Sequence, residues 1–201
     1  MPSNRLLLFD LGGVLVEFTG IEEMRRLHLR HLTDDQIRGR WAASRLISDF
    51  QLGRVPASRF GEEFVSEWAL NINPADFLVQ FESWTRRLYP GAAEMLKVLR
   101  SRHWLAALSN SNELHWRRNR ETLGVQALFD NAFSSHEIGL LKPDPEAFKF
   151  ILRELKVPAE EVTFFDDEDS NVEAARTLGI ESYRVVGVQQ LRSRLENMGL
   201  L

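Results

Sequence analysis

Four stretches of this 201-residue chain place reactive side chains beside turn-forming residues: Asp10 in LLLFDLGGVLV, Ser109 and Asn110 in LSNSN, Lys142 in GLLKPDP, and Asp166 with Asp167 in FFDDEDSN. Each is weak alone; Asp10 could simply close a strand, with Gly12 and Gly13 an ordinary turn. Together they supply a carboxylate nucleophile, a hydroxyl donor, a fixed cation and an acidic pair. Three carboxylates gathered in one cleft repel one another unless something positive lies between them. A hard divalent cation with oxygen ligands answers that need. Mg²⁺, which keeps several waters and takes a few carboxylates plus a substrate phosphate, fits best. With that metal and Lys142 in place, Asp10 can approach a phosphorus atom while Ser109 and nearby backbone N–H groups hold the phosphoryl oxygens.

For these groups to meet, the elements that carry them must end on one edge of a sheet. Leu6 to Val16 opens as an aliphatic run bounded by glycine, the pattern of a strand buried on both faces, and Asp10 lies where such strands leave a sheet. Trp104 to Leu108 reads as a strand ending in Ser109 and Asn110, Val162 to Phe165 as one ending in Asp166 and Asp167. Ala132 to Ser134 and Ser182 to Val186 read as two further strands. Helices are expected between them: one bearing Ala92, Met95, Leu96 and Leu99, one from Glu113, one opened by Asp144, Pro145 and Glu146, and one from Val172 to Leu178 stopped by Gly179. Alternating strands and helices imply right-handed crossovers and a parallel sheet covered on both sides.

Between the first strand and this unit the pattern is helical to about Trp84, with no convincing strand. Thr33 and Gln36 form a capping-box signature, Phe60, Phe64, Val65 and Trp68 share one helical face, and Asn73 with Pro74 opens a helix bearing Phe77, Phe81 and Trp84. The expected class is therefore α/β: a Rossmann-like parallel sheet core of residues 1–16 and 89–201, with a small all-helical cap of residues 17–88 inserted after the first strand.

Composition narrows the partners. The formal net charge of −4 and the lack of any basic tract argue against nucleic acid. No stretch approaches the length of a membrane span, and the N-terminus lacks a signal-peptide pattern, so the chain is expected to be cytoplasmic. With no cysteine, disulfides, thiolate metal sites and a thiol nucleophile all drop out. Nothing in the sequence speaks to oligomeric state.

In order and content, FDLGGVLV, LSNSN, GLLKPDP and FFDDEDSN resemble the four motifs of the haloacid dehalogenase-like hydrolase superfamily. The likeness extends to LGRVPASRFGEEF, which is similar to the helical cap of the branch containing small bacterial sugar-phosphate phosphatases. The resemblance implies Asp10 as the residue phosphorylated during turnover, the Gly12 carbonyl as a metal ligand, and Ser109 and Lys142 as phosphate contacts. It also implies that Asp167 binds Mg²⁺ directly or through water, with Asp166 beside it; Asp10, Gly12, Asp166 and Asp167 are counted with the metal-binding group, and Asn110 with the substrate-binding group. One position departs from the superfamily pattern: a second Asp, the usual general acid and base, is replaced by Gly12. Acid–base help of that kind is typically worth ~100- to 10,000-fold. Without it, substrates whose leaving oxygen is already a weak base are expected, such as sugar 1-phosphates, aryl phosphates or acyl phosphates.

A Mg²⁺-dependent phosphomonoesterase acting on a small phosphorylated metabolite explains every motif, and two other readings use the same residues less fully. A carbon–halogen hydrolase needs no leaving-group acid, but has no use for a metal or for the acidic pair. A non-catalytic, partner-binding domain would explain Gly12 but leave Asp10, Lys142 and the acidic pair unexplained. Among residues outside the motifs, His115 is either a substitute acid facing the cleft or, as is favoured, a surface or helix-packing histidine. Asn171 would hydrogen-bond a metal ligand, cap its helix, or both. Glu17 and Phe18 would line the entrance or form a hinge. His28, His31, His103 and His136 lack ligand spacing and read as structural, and Arg117, Arg118 and Arg120 as a solvated helix face.

Overall fold

The computed structural model describes residues 5–27 and 32–201; His28 and His31 lie outside them. In chain order the strands are β1 (Leu6–Phe9), β2 (Val16–Phe18), β3 (Thr85–Leu88), β4 (Trp104–Ser109), β5 (Asn131–Ser134), β6 (Val162–Asp166) and β7 (Glu181–Arg184). Five of them form one parallel sheet in the order β5-β4-β1-β6-β7, which puts β1 at the centre. Its apolar run is continuous because both faces are covered. Leu7 and Phe9 pack into one layer with Met95, Leu96, Leu99 and Leu191, while Leu6 and Leu8 pack into the other with Phe148, Ile151 and Ala175.

The covering helices are α6 (Ala92–Arg100), α7 (Glu113–Glu121), α9 (Pro145–Leu155), α10 (Asp169–Thr177) and α11 (Gly187–Asn197), with a short α8 (Ser135–Ile138) after β5; α1 to α5 lie earlier, between β2 and β3. Asp144 caps α9 by accepting from Glu146 N, with Pro145 in the first turn, as its sequence demands. The last helix, α11, lies beyond the final strand anticipated from sequence. It buries Val188, Leu191 and Leu195 against the sheet.

The inserted unit comprises α1 (Gly20–Arg26), α2 (Asp34–Ala43), α3 (Arg45–Gln51), α4 (Ala57–Glu67) and α5 (Pro74–Glu82). The capping box on α2 is present: Thr33 and Gln36 exchange side-chain-to-backbone hydrogen bonds of 2.8 and 3.2 Å. This unit has an interior of its own, dominated by aromatic rings; Phe50 stacks on Phe60 at 4.0 Å between centroids and Phe64 on Phe77 at 4.8 Å. The aromatic stripe therefore fills a core and does not form a ligand box.

The expectation of a purely helical insert needs correction. It is entered and left through β2 and β3, which pair antiparallel as a two-stranded ribbon. These strands are too short and too charged to show alternation; Glu17 and Arg87 face each other across the ribbon with an ion pair of 2.7 Å. The first apolar run is likewise not strand throughout. It turns after Phe9, and Leu15 N and Val16 N both donate back to Leu11 O.

Candidate active site

The parallel register brings the motif residues to one edge of the sheet. Phe9 pairs with Ala107 on one side and Phe165 on the other, so Asp10, Ser109 and Asp166 leave their strands side by side. Asp10 is further tied down by its N–H, which donates to Phe165 O at 2.9 Å. Lys142 arrives from the loop before α9 and is buried, 3% exposed, between two carboxylates. Its Nζ donates to Asp10 Oδ1 at 2.7 Å and to Asp166 Oδ2 at 2.6 Å.

Each member has a distinct set of partners. Asp166 Oδ1 accepts from Glu168 N at 2.9 Å and from Asn171 Nδ2 at 3.0 Å, so both of its oxygens are held by protein donors. Asn171 thus binds an acid of the motif; the N-cap of α10 is Glu168, not Asn171. Asn110 makes a reciprocal pair with the main chain of Lys142, donating from Nδ2 to the carbonyl at 2.7 Å and accepting the N–H at 2.9 Å. That pairing occupies the amide, so the side chain of Asn110 places Lys142. Ser109 ends β4 with its side chain buried. Among the described residues no backbone acceptor takes the N–H groups of Leu11 or Gly12, which leaves two donors free in the turn after Asp10.

Asp167 lies against that turn. Gly13 has a φ of +74°, and a Cβ there would sit on the Asp167 carboxylate. The glycine is needed both for its left-handed backbone and for this close approach. Gly13 O in turn accepts from Gly187 N at 2.7 Å, and Arg184 Nε donates to Asp167 O at 2.9 Å. Beside it, Gly12 is open: nothing lies within 4 Å of where its Cβ would be, and its φ is not left-handed.

Burial, with the charges of Asp166 and Asp167, holds the Asp10 carboxyl well above the ordinary range although Lys142 pulls it down. Burial, Asp166 and Glu168 raise Asp167 in the same way. Burial would lower the Lys142 ammonium, but Asp10 and Asp166 more than offset it and hold it above its usual value. Three carboxylates thus face one ammonium, and the excess is negative.

That donor set fits Mg²⁺. Asp167 and the second oxygen of Asp10 receive no hydrogen bond from another side chain among the described residues, and the adjoining Gly12 carbonyl is likewise a hard oxygen. Among the described residues no group of three or more His, Cys, Asp or Glu side chains is placed to hold a metal ion by itself. An open site of two carboxylates and a carbonyl suits an ion that retains water and shares a substrate phosphate.

His115 does not face this centre. It is buried on α7, its ring 4.3 Å from that of Phe81, with Nε2 on Phe81 O at 2.7 Å and Nδ1 on Asn112 Nδ2 at 3.0 Å. Burial is the main reason its pKa falls to about 4, so it is neutral near pH 7. The helix-packing role follows, and the substitute acid does not. Phe18 is 41% exposed and packs edge-on against Trp84 and His115, and Glu17 is engaged by Arg87. His136 bonds Ser134 Oγ at 2.5 Å; Arg117 and Arg120 are exposed, on Glu82 and Glu121, while the half-buried Arg118 donates to Thr85 O, so Arg117 and Arg118 also hold the insert. A residue not singled out from sequence is Ser135. Its Oγ accepts from Ser111 N at 2.9 Å and lies 2.6 Å from Gln51 O. The hydroxyls of FSSHE follow a strand as those of LSNSN do, and that parallel was the available signal.

Comparison with known proteins agrees with this architecture. Residues 5–179 match the family model of the haloacid dehalogenase-like hydrolases. The chain is 31% identical over 190 residues to Phosphatase MT3486 of Mycobacterium tuberculosis, covering 91% of this chain and 88% of that one. It is 21% identical over 185 residues to D-ribitol-5-phosphate phosphatase of Bacteroides thetaiotaomicron, covering 89% and 90%. Two further relatives are matched over 36% and 45% of their own length, and over 96% and 49% of this chain. Among solved structures, a HAD family enzyme of Bacteroides thetaiotaomicron in complex with magnesium and inorganic phosphate superposes with a TM-score of 0.75 at 23% identity, covering 90% of this chain and 93% of that one. On the strength of the family match across most of its length, the chain belongs to the haloacid dehalogenase-like hydrolases.

Proposed function

We propose that the protein is a Mg²⁺-dependent phosphomonoesterase that acts on a small phosphorylated metabolite through a phosphorylated Asp10. The observation that carries this is the seat of Lys142 between Asp10 and Asp166, with the Asp167 carboxylate against the turn that follows Asp10. Named relatives that are phosphatases support the same reading.

The roles follow from the partners of each group. Asp10 is the nucleophile: one oxygen is fixed by Lys142, which leaves the other to face substrate and metal. Lys142 offsets the charge that otherwise repels a phosphate. Ser109 and the free N–H groups of Leu11 and Gly12 take phosphoryl oxygens. Asp10, the Gly12 carbonyl and Asp167 would hold the metal, which would supply charge neutralisation at the phosphoryl group. Asp166, expected among the metal ligands, has both oxygens occupied, and its role here is to seat Lys142. Asn110, grouped with the substrate contacts, fixes the main chain of Lys142.

Neither of the two positions that could supply an acid to the leaving group, Gly12 or His115, does so. Gly12 has no side chain, and His115 is committed to Phe81 and Asn112. The preferred substrates are therefore esters or anhydrides whose leaving oxygen departs without a proton: sugar 1-phosphates, aryl phosphates or acyl phosphates. Measuring phosphate release from p-nitrophenyl phosphate and a metabolite panel, with and without Mg²⁺ and with Asp10→Asn as blank, tests this. Mg²⁺-dependent release lost in the blank is expected; release indifferent to both would refute it. Turnover that does not fall as leaving-group pKa rises would refute the substrate class.

A further inference from the structure

The insert is fastened to the sheet unit along α7. From the first turn to the last, Glu113 accepts from Ala57 N at 2.8 Å, His115 Nε2 meets Phe81 O at 2.7 Å, Arg117 grips Glu82 at 3.2 and 2.8 Å, and Arg118 Nε donates to Thr85 O at 2.7 Å. Leu114, on the same helix, is buried in the aromatic interior of the insert. Most of these contacts act only as fasteners. His115 is different, because its other nitrogen reaches the start of α7, immediately after Ser109 and Asn110.

Its hydrogen-bond assignment has a single solution. Phe81 O can only accept, so Nε2 carries the proton and Nδ1 presents a lone pair. That lone pair accepts from Asn112 Nδ2, while Asn112 Oδ1 caps α7 by accepting from Leu114 N and His115 N, each at 3.1 Å. Asn112 cannot flip its amide without losing both cap bonds. One ring therefore joins α5 to the residue that ends the turn Ser109–Asn112. Ser135 makes a second bridge from the insert to this turn, linking Ser111 to Gln51 O at the end of α3.

We propose that His115 is a positioning residue that ties the seat of the cap to the phosphate-holding turn, so that cap placement and the alignment of Ser109 and Asn110 change together. This rests on the phosphatase reading for its kinetic readout. A histidine that merely fills space would affect stability but not turnover per folded molecule.

The test compares three variants. His115→Leu removes both bonds; His115→Gln offers an N–H for Phe81 O and an oxygen for Asn112; Arg117→Ala breaks a fastener that does not lead to the turn. For p-nitrophenyl phosphate, kcat/KM of folded His115→Leu should fall about 10- to 100-fold, the scale of an ångström-sized misplacement, with His115→Gln recovering most of it. Arg117→Ala should stay within about twofold, as for an exposed ion pair. Hydrogen exchange should accelerate in His115→Leu in both 74–88 and 109–112. Wild-type kinetics in folded His115→Leu, or acceleration confined to 74–88, would overturn the proposal. Should His115→Leu fail to fold, the wild-type protein decides: inorganic phosphate with Mg²⁺ should slow exchange in 109–112 and in 74–88 together, and slowing in 109–112 alone would overturn it. Should no ester be hydrolysed, the phosphatase reading fails, and the exchange data on the variants still judge the coupling.

Discussion

Gly12→Asp should restore the acid that this chain lacks, and the structure says what it costs. A Cβ here meets nothing within 4 Å and the backbone is not left-handed, so neither a Cβ clash nor a positive φ opposes the substitution. Replacing a glycine at such a site removes unfolded-chain freedom worth about 0.4–1 kcal/mol in favour of the fold. Against that stands charge, because a fourth carboxylate joins Asp10, Asp166 and Asp167, which already exceed the single ammonium of Lys142. The metal must absorb the repulsion, so the variant should need more Mg²⁺ than the wild type. A positioned general acid is worth ~100- to 10,000-fold, or about 2.7–5.5 kcal/mol of barrier, and only where the leaving oxygen is a strong base. At saturating Mg²⁺ we therefore expect kcat/KM on glycerol phosphate to rise at least about tenfold. On p-nitrophenyl phosphate it should change little, and the pH profile on the alkyl ester should acquire a falling limb at high pH. Steady-state kinetics on both esters, with melting curves to confirm the fold, read this directly. A uniform change across leaving groups, or no gain on the alkyl ester with fold and Mg²⁺ response intact, would refute the reasoning.

Lys142→Met leaves Asp10 and Asp166 buried without their shared partner; urea unfolding should report a loss of about 3–5 kcal/mol, and phosphate release should vanish. Gly13→Ala presses a methyl group onto Asp167 at a left-handed backbone position, so the Mg²⁺ concentration needed to raise the melting temperature should increase several-fold, and an unchanged Mg²⁺ titration would count against Asp167 as a ligand. His115 has a native pKa of about 4, below its unfolded value, so the unfolded chain binds the extra proton first. Its stabilising effect is complete above about pH 6.5 and is lost as pH falls toward 4, a swing of about 3 kcal/mol that should appear as the difference between wild-type and His115→Gln unfolding curves.

How much was legible depended on whether a feature has a local signature. The central strand was readable because burial on both faces demands an unbroken apolar run, and the site was readable because polar residues closing several such runs must share an edge. The capping box at Thr33 and the opening of α9 at Asp144 were equally local. The ribbon of β2 and β3 was not, since its pairing joins residues some seventy positions apart through charged side chains with no period. The division of labour inside the site was also hidden. Nothing in FFDDEDSN says that Asp166 faces Lys142 while Asp167 faces Gly13, and nothing in LSNSN says that Asn110 spends its amide on the Lys142 main chain. Those assignments depend on which direction a side chain leaves the sheet edge, a property of tertiary register.

The burial of Leu114 and His115 within the aromatic insert bears on any attempt to retarget this scaffold. A graft that exchanges residues 17–88 alone would strip an apolar side chain and a neutral imidazole of their cover and set a foreign surface on them. The outer face of α7, from Asn112 to Arg118, belongs with the transplanted piece, and recombination points should be drawn to carry both together.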